Sequence, residues 1–203
     1  MYRERISVFL ENEEFPRDYG AGILGLELIF MGNKQKYKFS WDLIGDIADG
    51  RPNLGNQTRV EVYRLMQFTF REIIERHVGT DETEQIFYEA GKLAGKEFFE
   101  NMLTPTKDFN DFICQLQGLL KDLKIGILRI EKEDLNNGEI VLTVSEDLDC
   151  SGLPVLDFEI CTYDEGFIAS LVECFAGIPF TAKEIDCWCT GDRTCRFRVR
   201  VKA

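Results

Sequence analysis

The chain has 203 residues, of which 36 are acidic and 24 are basic, and its formal net charge is −12. This acidic excess excludes nucleic acids as expected partners, because phosphate binding requires a surplus of lysine and arginine, and it disfavours anionic membranes. The hydrophobic fraction of 44% argues against disorder. The most apolar early stretch, residues 21–31, is too short to span a bilayer and contains Glu27. We therefore expect a cytoplasmic globular protein with no membrane insertion.

Residues 1–56 are expected to form an amino-terminal region of strands and turns, in which residues 23–31 are the most strand-like. Residues 20–25 match G-x-G-x-x-G, the dinucleotide-binding motif. That motif functions when a strand precedes it and a helix opens on its glycines. Here a charged segment containing Pro16 precedes the glycines, and a strand-like run follows them. We interpret the motif as a glycine-rich turn.

Three predicted helices follow. The first has Thr58 three residues before Glu61, which is the spacing of a capping box, and Gly79 ends it. The second helix is predicted over residues 81–103 and the third over residues 107–123. The apolar residues that recur at helical spacing are Val62, Leu65, Met66 and Ile73 in the first helix; Ile86, Phe87, Ala90, Leu93, Ala94 and Phe98 on one face of the second; and Phe109, Phe112, Ile113, Leu116, Leu120 and Leu123, directed inward, in the third.

After the third helix, the hydrophobic pattern changes to a period of two, which is typical of strands. The predicted strands cover residues 125–130, 139–144, 180–189 and 194–201. Between them a fourth helix is predicted from Thr162, which has a second capping-box spacing to Glu165, as far as Gly177. The order of elements indicates the α+β class, with a helical amino-terminal half packed on an antiparallel sheet.

Five of the seven cysteines lie between residues 161 and 195, and the single histidine excludes zinc sites that use two or three imidazoles. Cys161 directly precedes a predicted helix, while Cys187 and Cys195 lie on opposite arms of one predicted hairpin. These positions would hold thiolate ligands on rigid supports, and thiolates suit zinc. The other interpretation is that the cysteines are small hydrophobes. We expect ordinary thiols at Cys114, Cys150 and Cys174.

Several stretches resemble the 4-vinyl-reductase-type domain, the small-molecule-binding domain that also begins phenol- and xylene-sensing bacterial transcription activators. They are GFIASLVECFAG at 166–177, KEIDC at 183–187, GDRTCRF at 191–197, and, less specifically, the helix FYEAGKLAGKEF at 87–98. The resemblance covers roughly residues 57–203, which we therefore expect to form the ligand-binding domain.

The resemblance implies a zinc site. In the phenol-sensing members a cysteine before the helix, a glutamate after it and two cysteines of the final hairpin hold the metal. The matching positions in this sequence are Cys161, Glu184, Cys187 and Cys195, and Cys189 is an alternate ligand because it lies two residues from Cys187. With four protein ligands the site would be closed and structural, as part of a zinc-stapled helix–hairpin module.

The resemblance also implies a buried, mostly apolar pocket beside the zinc module. Its lining residues are not assigned from the sequence, although aromatic candidates exist at Phe68, Phe70, Phe87, Phe98, Phe99, Phe109 and Phe112. The phenol sensors hold the ligand hydroxyl with a histidine and a tryptophan. Neither His77 nor Trp188 can be placed in that role from its position in the sequence.

Three functions follow as hypotheses. The first is a non-enzymatic, sensor-like module that binds a hydrophobic small molecule, either aromatic or tetrapyrrole-like. The second is a tetrapyrrole vinyl-group reductase or its accessory subunit, for which the sequence shows no convincing acid–base cluster. The third is a dimeric interaction protein without a ligand. A homodimer is expected, and Gly91 and Gly95 would permit close helix packing, by default inside the fold.

Overall fold

Helices precede most of the strands in the computed structural model, which describes residues 36–134 and 137–202. Residues 40–203 form one compact unit. The glycine motif at residues 20–25 and the strand predicted at residues 23–31 lie outside the described residues. The boundary expected at residue 56 stays a prediction.

The helical elements come first, and the four strands lie in the second half of the chain. The helices are α1 (Ile47–Gly50), α2 (Val60–Val78), α3 (Thr80–Met102), α4 (Phe109–Asp122) and α5 (Thr162–Ala176); the strands are β1 (Ile127–Asp134), β2 (Glu139–Ser145), β3 (Phe180–Asp186) and β4 (Cys195–Val201); and short 3-10 turns occur at Trp41–Ile44 and Trp188–Thr190. This order confirms the predicted α+β class. None of the helices in the described part of the chain is long and apolar enough to cross a membrane.

The four strands form one antiparallel sheet in the order β1-β2-β4-β3. Strand β4 is therefore central, and its alternation decides which face is buried. Cys195, Phe197 and Val199 are fully buried, whereas Arg198 and Arg200 are exposed. The predicted half-buried character of this strand is confirmed, and the buried face carries one of the candidate metal ligands.

Helices α3 and α5 pack with their backbones in close approach because glycines lie at the contact. A Cβ atom added to Gly91 would lie far inside van der Waals distance of the Tyr163 carbonyl oxygen, and one added to Gly166 would meet the Tyr88 carbonyl oxygen in the same way. Gly95 contacts α5 similarly one turn later. Both glycines of the motif on α3 therefore serve packing inside the fold, as expected by default.

The apolar spacing predicts the buried face of α4 better than that of α2. Phe112, Ile113, Leu116 and Leu120 are buried in α4, and the predicted inward position of Leu123 is wrong, because this residue lies just past the helix and is 47% exposed. In α2 the side chains at helical spacing are exposed. They are Val62, Leu65, Met66 and Ile73. The apolar stripe of α2 is not part of the core.

Neither predicted capping box forms, because tertiary contacts use the side chains involved. Helix α2 begins without a side-chain cap. At the start of α5, Thr162 donates a hydrogen bond to Glu84 of α3. Glu165 accepts the backbone N–H of Glu184 at 2.8 Å instead of the N–H at the start of its own helix. These bonds attach α5 to α3 and β3, which places the residue before α5 firmly against the sheet.

Candidate metal centre and adjoining chamber

Four cysteine sulfurs converge where β2 ends and β4 begins. Cys150 lies in the turn after β2, Cys161 precedes α5, Cys187 follows β3, and Cys195 opens β4. Their Sγ atoms all lie within 4.8 Å of one another, and all four residues are fully buried. The structure therefore brings together three of the four predicted ligands.

The sulfur spacing fits a tetrahedral metal ion. The Sγ atom of Cys161 is 3.9 Å from that of Cys187 and 3.9 Å from that of Cys195. A tetrahedron with Zn–S distances of about 2.3 Å has sulfur–sulfur edges of about 3.8 Å. The Cys150–Cys195 distance of 3.0 Å is shorter, so this pair would have to separate slightly around an ion. A buried set of four sulfurs suits zinc among the common divalent ions.

One thiolate is favoured within the cluster. The neighbouring thiols of Cys150, Cys161 and Cys195 hold the pKa of Cys187 well below its ordinary value, because they donate hydrogen bonds to its sulfur. The backbone N–H of Cys189 also donates to this sulfur at 3.4 Å. Cys187 is therefore the anionic centre of the cluster, and a bound cation would displace the protons of the other thiols.

Glu184 lies beside the cluster but its carboxylate is not among the four converging ligand atoms. Its side chain is 2% exposed, and neither carboxylate oxygen accepts a hydrogen bond from the described residues. Burial and the nearby charge of Cys187 raise the pKa of Glu184 to about 9. The ligand role predicted for Glu184 stays a prediction. The thiol of Cys189, the alternate ligand, is buried yet also outside the four-sulfur group.

Cys150 is the cluster member that sequence analysis misses. We expected an ordinary thiol, because its spacing to the other cysteines follows no metal-binding motif. Its position in the fold depends on the pairing of β2 with β4, which the sequence alone does not reveal. The other two expected ordinary thiols do lie apart from the cluster, Cys114 exposed on α4 and Cys174 half-buried on α5.

Three acidic side chains lie in the interior next to the cysteines, although no acid–base cluster was expected. Asp149 accepts hydrogen bonds from Tyr63 Oη and Gln67 Nε2, each at 2.7 Å. Asp147 Oδ1 accepts the backbone N–H groups of Asp149 and Cys150 at 2.9 and 3.0 Å. Burial and the charge of Asp149 raise the pKa of Asp147 to about 7.

The third acidic residue, Asp164, lies in the first turn of α5. Its Oδ2 atom is buried and accepts no hydrogen bond from the described residues. Burial, followed by the charge of Asp149, raises the pKa of Asp164 well above its ordinary value. One oxygen each of Asp147 and Asp164 and the sulfur of Cys161 lie within 4.8 Å of one another. These two carboxyl groups therefore connect the metal cluster with the space beyond it.

That space is an apolar chamber between α4, α5 and the sheet. Its lining consists of Phe112, Ile113, Leu116, Leu120, Ile125, Leu128, Ile130, Ile140, Leu142, Val144, Phe167, Ile168, Leu171 and Val172, together with Asp147 and Asp164. The void inside measures about 40 Å³. This is room for about one water molecule, so a larger guest requires α4 to move away from α5. The rings of Phe112 and Phe175 stack at 4.5 Å and join the two helices there.

Of the aromatic residues named from the sequence, only Phe112 lines this chamber, and Phe167 was missed because it lies within the motif region of α5. Neither His77 nor Trp188 is among the lining residues. The indole N–H of Trp188 instead donates to the Leu153 carbonyl oxygen at 2.9 Å, which attaches the segment after β2 to the hairpin. The chamber therefore lacks the histidine and tryptophan that the resemblance would supply.

A larger, open cleft of about 800 Å³ lies between α2, α3 and the segment that precedes α5. Acidic residues outnumber basic ones along it, and its buried Arg71 is already paired with Glu84. An apolar ligand in this cleft would remain in contact with water. The enclosed chamber is the better candidate for a hydrophobic guest.

Comparison with known proteins agrees with this architecture. An uncharacterised protein of Methanocaldococcus jannaschii is 26% identical over 148 residues, which span 73% of this chain and 81% of that protein. A crystal structure of a vinyl-4-reductase family protein from the same organism superposes with a TM-score of 0.55 at 17% identity, covering 85% of this chain and all of the other.

The phenol-responsive sensory domain of the transcription activator PoxR, solved with phenol, superposes with a TM-score of 0.53 at 12% identity. The match covers 71% of this chain and 75% of that domain. At these identities the superpositions establish a shared fold. Residues 140–201 match the family model of the 4-vinyl-reductase domain, and they include all four clustered cysteines and α5 with most of the sheet that it covers. The resemblance recognised in the sequence is thereby confirmed: the carboxy-terminal part of this chain is a 4-vinyl-reductase domain.

Proposed function

We propose that this protein is a non-enzymatic module that binds a hydrophobic small molecule in the chamber between α4, α5 and the sheet. The observation that carries the proposal is the enclosed apolar lining, which meets polar groups at one end only, as small-molecule sites commonly do. The PoxR sensory domain, which shares the fold, was solved with phenol, and this supports the same kind of role here.

We propose further that the four-sulfur cluster holds a zinc ion with a structural role. The sulfur spacing and complete burial support this, and zinc bound by four protein ligands leaves no position for a reacting water. The predicted set is Cys161, Glu184, Cys187 and Cys195. Because the Cys150 sulfur lies in the cluster and the Glu184 carboxylate does not, we propose Cys150 as the fourth ligand of this chain.

The ligand-binding proposal is tested by filling the chamber. Toluene, titrated into the zinc-loaded protein by isothermal calorimetry, should bind, and Leu116→Phe should weaken its binding by at least about tenfold because the added ring occupies the void. Leu93→Phe, the same substitution at a half-exposed site on α3, should leave binding unchanged. Equal binding of toluene by wild-type protein and Leu116→Phe would contradict the chamber as the site.

A homodimer remains part of the proposal, as expected from the sequence. Its test is the molar mass in solution, measured by light scattering on the eluting peak with and without bound zinc. A mass of 23.4 kDa, that of one chain, at working concentration would contradict it.

A further inference from the structure

The chamber is apolar except at one end, where Asp147 and Asp164 lie among its lining residues. Asp147 is 4% exposed, and the Oδ2 atom of Asp164 is buried without a hydrogen bond from any described residue. Buried carboxylate oxygens without donors are energetically costly and are rare in folded proteins. The chamber therefore ends in a group that requires a hydrogen-bond donor.

Nearby cationic side chains are engaged elsewhere. Arg64 donates to the backbone carbonyl oxygens of Leu148 and Ser151 at 2.8 and 2.9 Å, and Arg71 pairs with Glu84. Among residues 36–134 and 137–202, neither Asp147 nor Asp164 takes part in a salt bridge. Within the described residues, the negative charge of this end of the chamber is thus uncompensated.

The separation of the two carboxyl groups indicates which donor would fit. Their nearest oxygens lie within 4.8 Å of each other. Since a hydrogen bond joins heavy atoms about 2.8 Å apart, a single nitrogen placed between the two oxygens can bond to both. An ammonium group has three N–H donors and a positive charge, whereas a hydroxyl has one O–H donor and no charge.

From this geometry we propose that the guest of the chamber is an apolar molecule carrying a primary amine, whose ammonium group bonds to Asp147 and Asp164 while its hydrocarbon body lies against α4 and α5. This inference rests on the proposed function, since it names the ligand class for the same chamber. Charge-assisted hydrogen bonds in a buried site are the strong ones, so the amine would set the specificity.

The test uses four probes that share one phenyl ring and one attached carbon: toluene, benzyl alcohol, benzylamine and benzoate. Each is titrated into the zinc-loaded full chain by calorimetry at one neutral pH. Benzylamine should bind at least about tenfold tighter than benzyl alcohol and toluene, and benzoate should be the weakest because like charges meet. In Asp164→Asn and Asp147→Asn, the preference for benzylamine over toluene should fall to within about twofold, while toluene binding is retained.

Asp149→Asn is the matched control. Asp149 is equally buried but is held by Tyr63 and Gln67 and does not line the chamber, so this variant should keep the preference for benzylamine. Toluene binding with no advantage for benzylamine would overturn the amine assignment and leave the proposed function standing. Failure of every probe to bind would overturn the proposed function itself. Zinc content is measured for each variant, because loss of zinc from Asp164→Asn would place that carboxyl group at the metal and overturn its role as a receptor for the guest.

Discussion

Cys150 and Glu184 are the two candidates for the fourth metal ligand, and single substitutions separate them. We expect Cys150→Ser, Cys187→Ser and Cys195→Ser each to weaken zinc binding by more than about 100-fold, because each removes one of the converging sulfurs. Glu184→Gln and Cys114→Ser should keep one zinc per chain, as measured by elemental analysis after competition with a chelator. X-ray absorption should find four sulfur neighbours. Zinc retained by Cys150→Ser but lost from Glu184→Gln would restore the predicted set.

The sequence could identify Cys161, Cys187 and Cys195 as a group because the resemblance supplies their positions and the hairpin brings two of them together. It could not identify Cys150 or the buried Asp164, since neither lies in a recognisable pattern. Their proximity arises from the pairing of β2 with β4 and from the seating of α5 on the sheet. Local spacing contains no information on such long-range neighbours.

Between elements, the contact of α3 with α5 depends on glycine. We expect Gly91→Ala to destabilise the protein by about 3 kcal/mol, because the new Cβ would clash with the Tyr163 backbone and backbone cannot yield as a flexible side chain can. Gly118→Ala is the matched control on an exposed position of α4, where nothing lies near an added Cβ, and it should stabilise by about 0.5–1 kcal/mol. Urea unfolding with a fluorescence or circular-dichroism readout measures both. Equal effects of the two substitutions would contradict the packing role.

The elements themselves are largely predictable, and their partners are not. Periodicity located α2 to α5 and all four strands to within a few residues, and Gly79 and Gly177 end helices as expected. The expected capping boxes failed because the side chains of Thr162 and Glu165 find partners on other elements. The apolar spacing of α2 predicts an amphipathic helix correctly, but which face is covered depends on what packs there.

For the whole molecule, the proposed metal joins four points of the chain that lie up to 45 residues apart in sequence, from Cys150 to Cys195. Removing the ion would leave four thiols buried around one thiolate. We expect chelation of zinc to lower the unfolding temperature by about 10 °C or more, since a structural zinc site contributes its binding energy to folding. Differential scanning calorimetry before and after treatment with a chelator, with zinc added back, provides the measurement. An unchanged, reversible transition in the metal-free protein would contradict a structural role.

The turn after β2 serves two sites at once. It carries Cys150 into the sulfur cluster and Asp147 to the end of the chamber, and Asp147 accepts the backbone N–H of Cys150 at 3.0 Å. Occupancy at either site would therefore bias the conformation of one short segment. By reciprocity of binding free energies, if zinc tightens the hold on a guest by some factor, the guest tightens the hold on zinc by the same factor. The rate at which the protein loses zinc to a chelator would then report how full the chamber is.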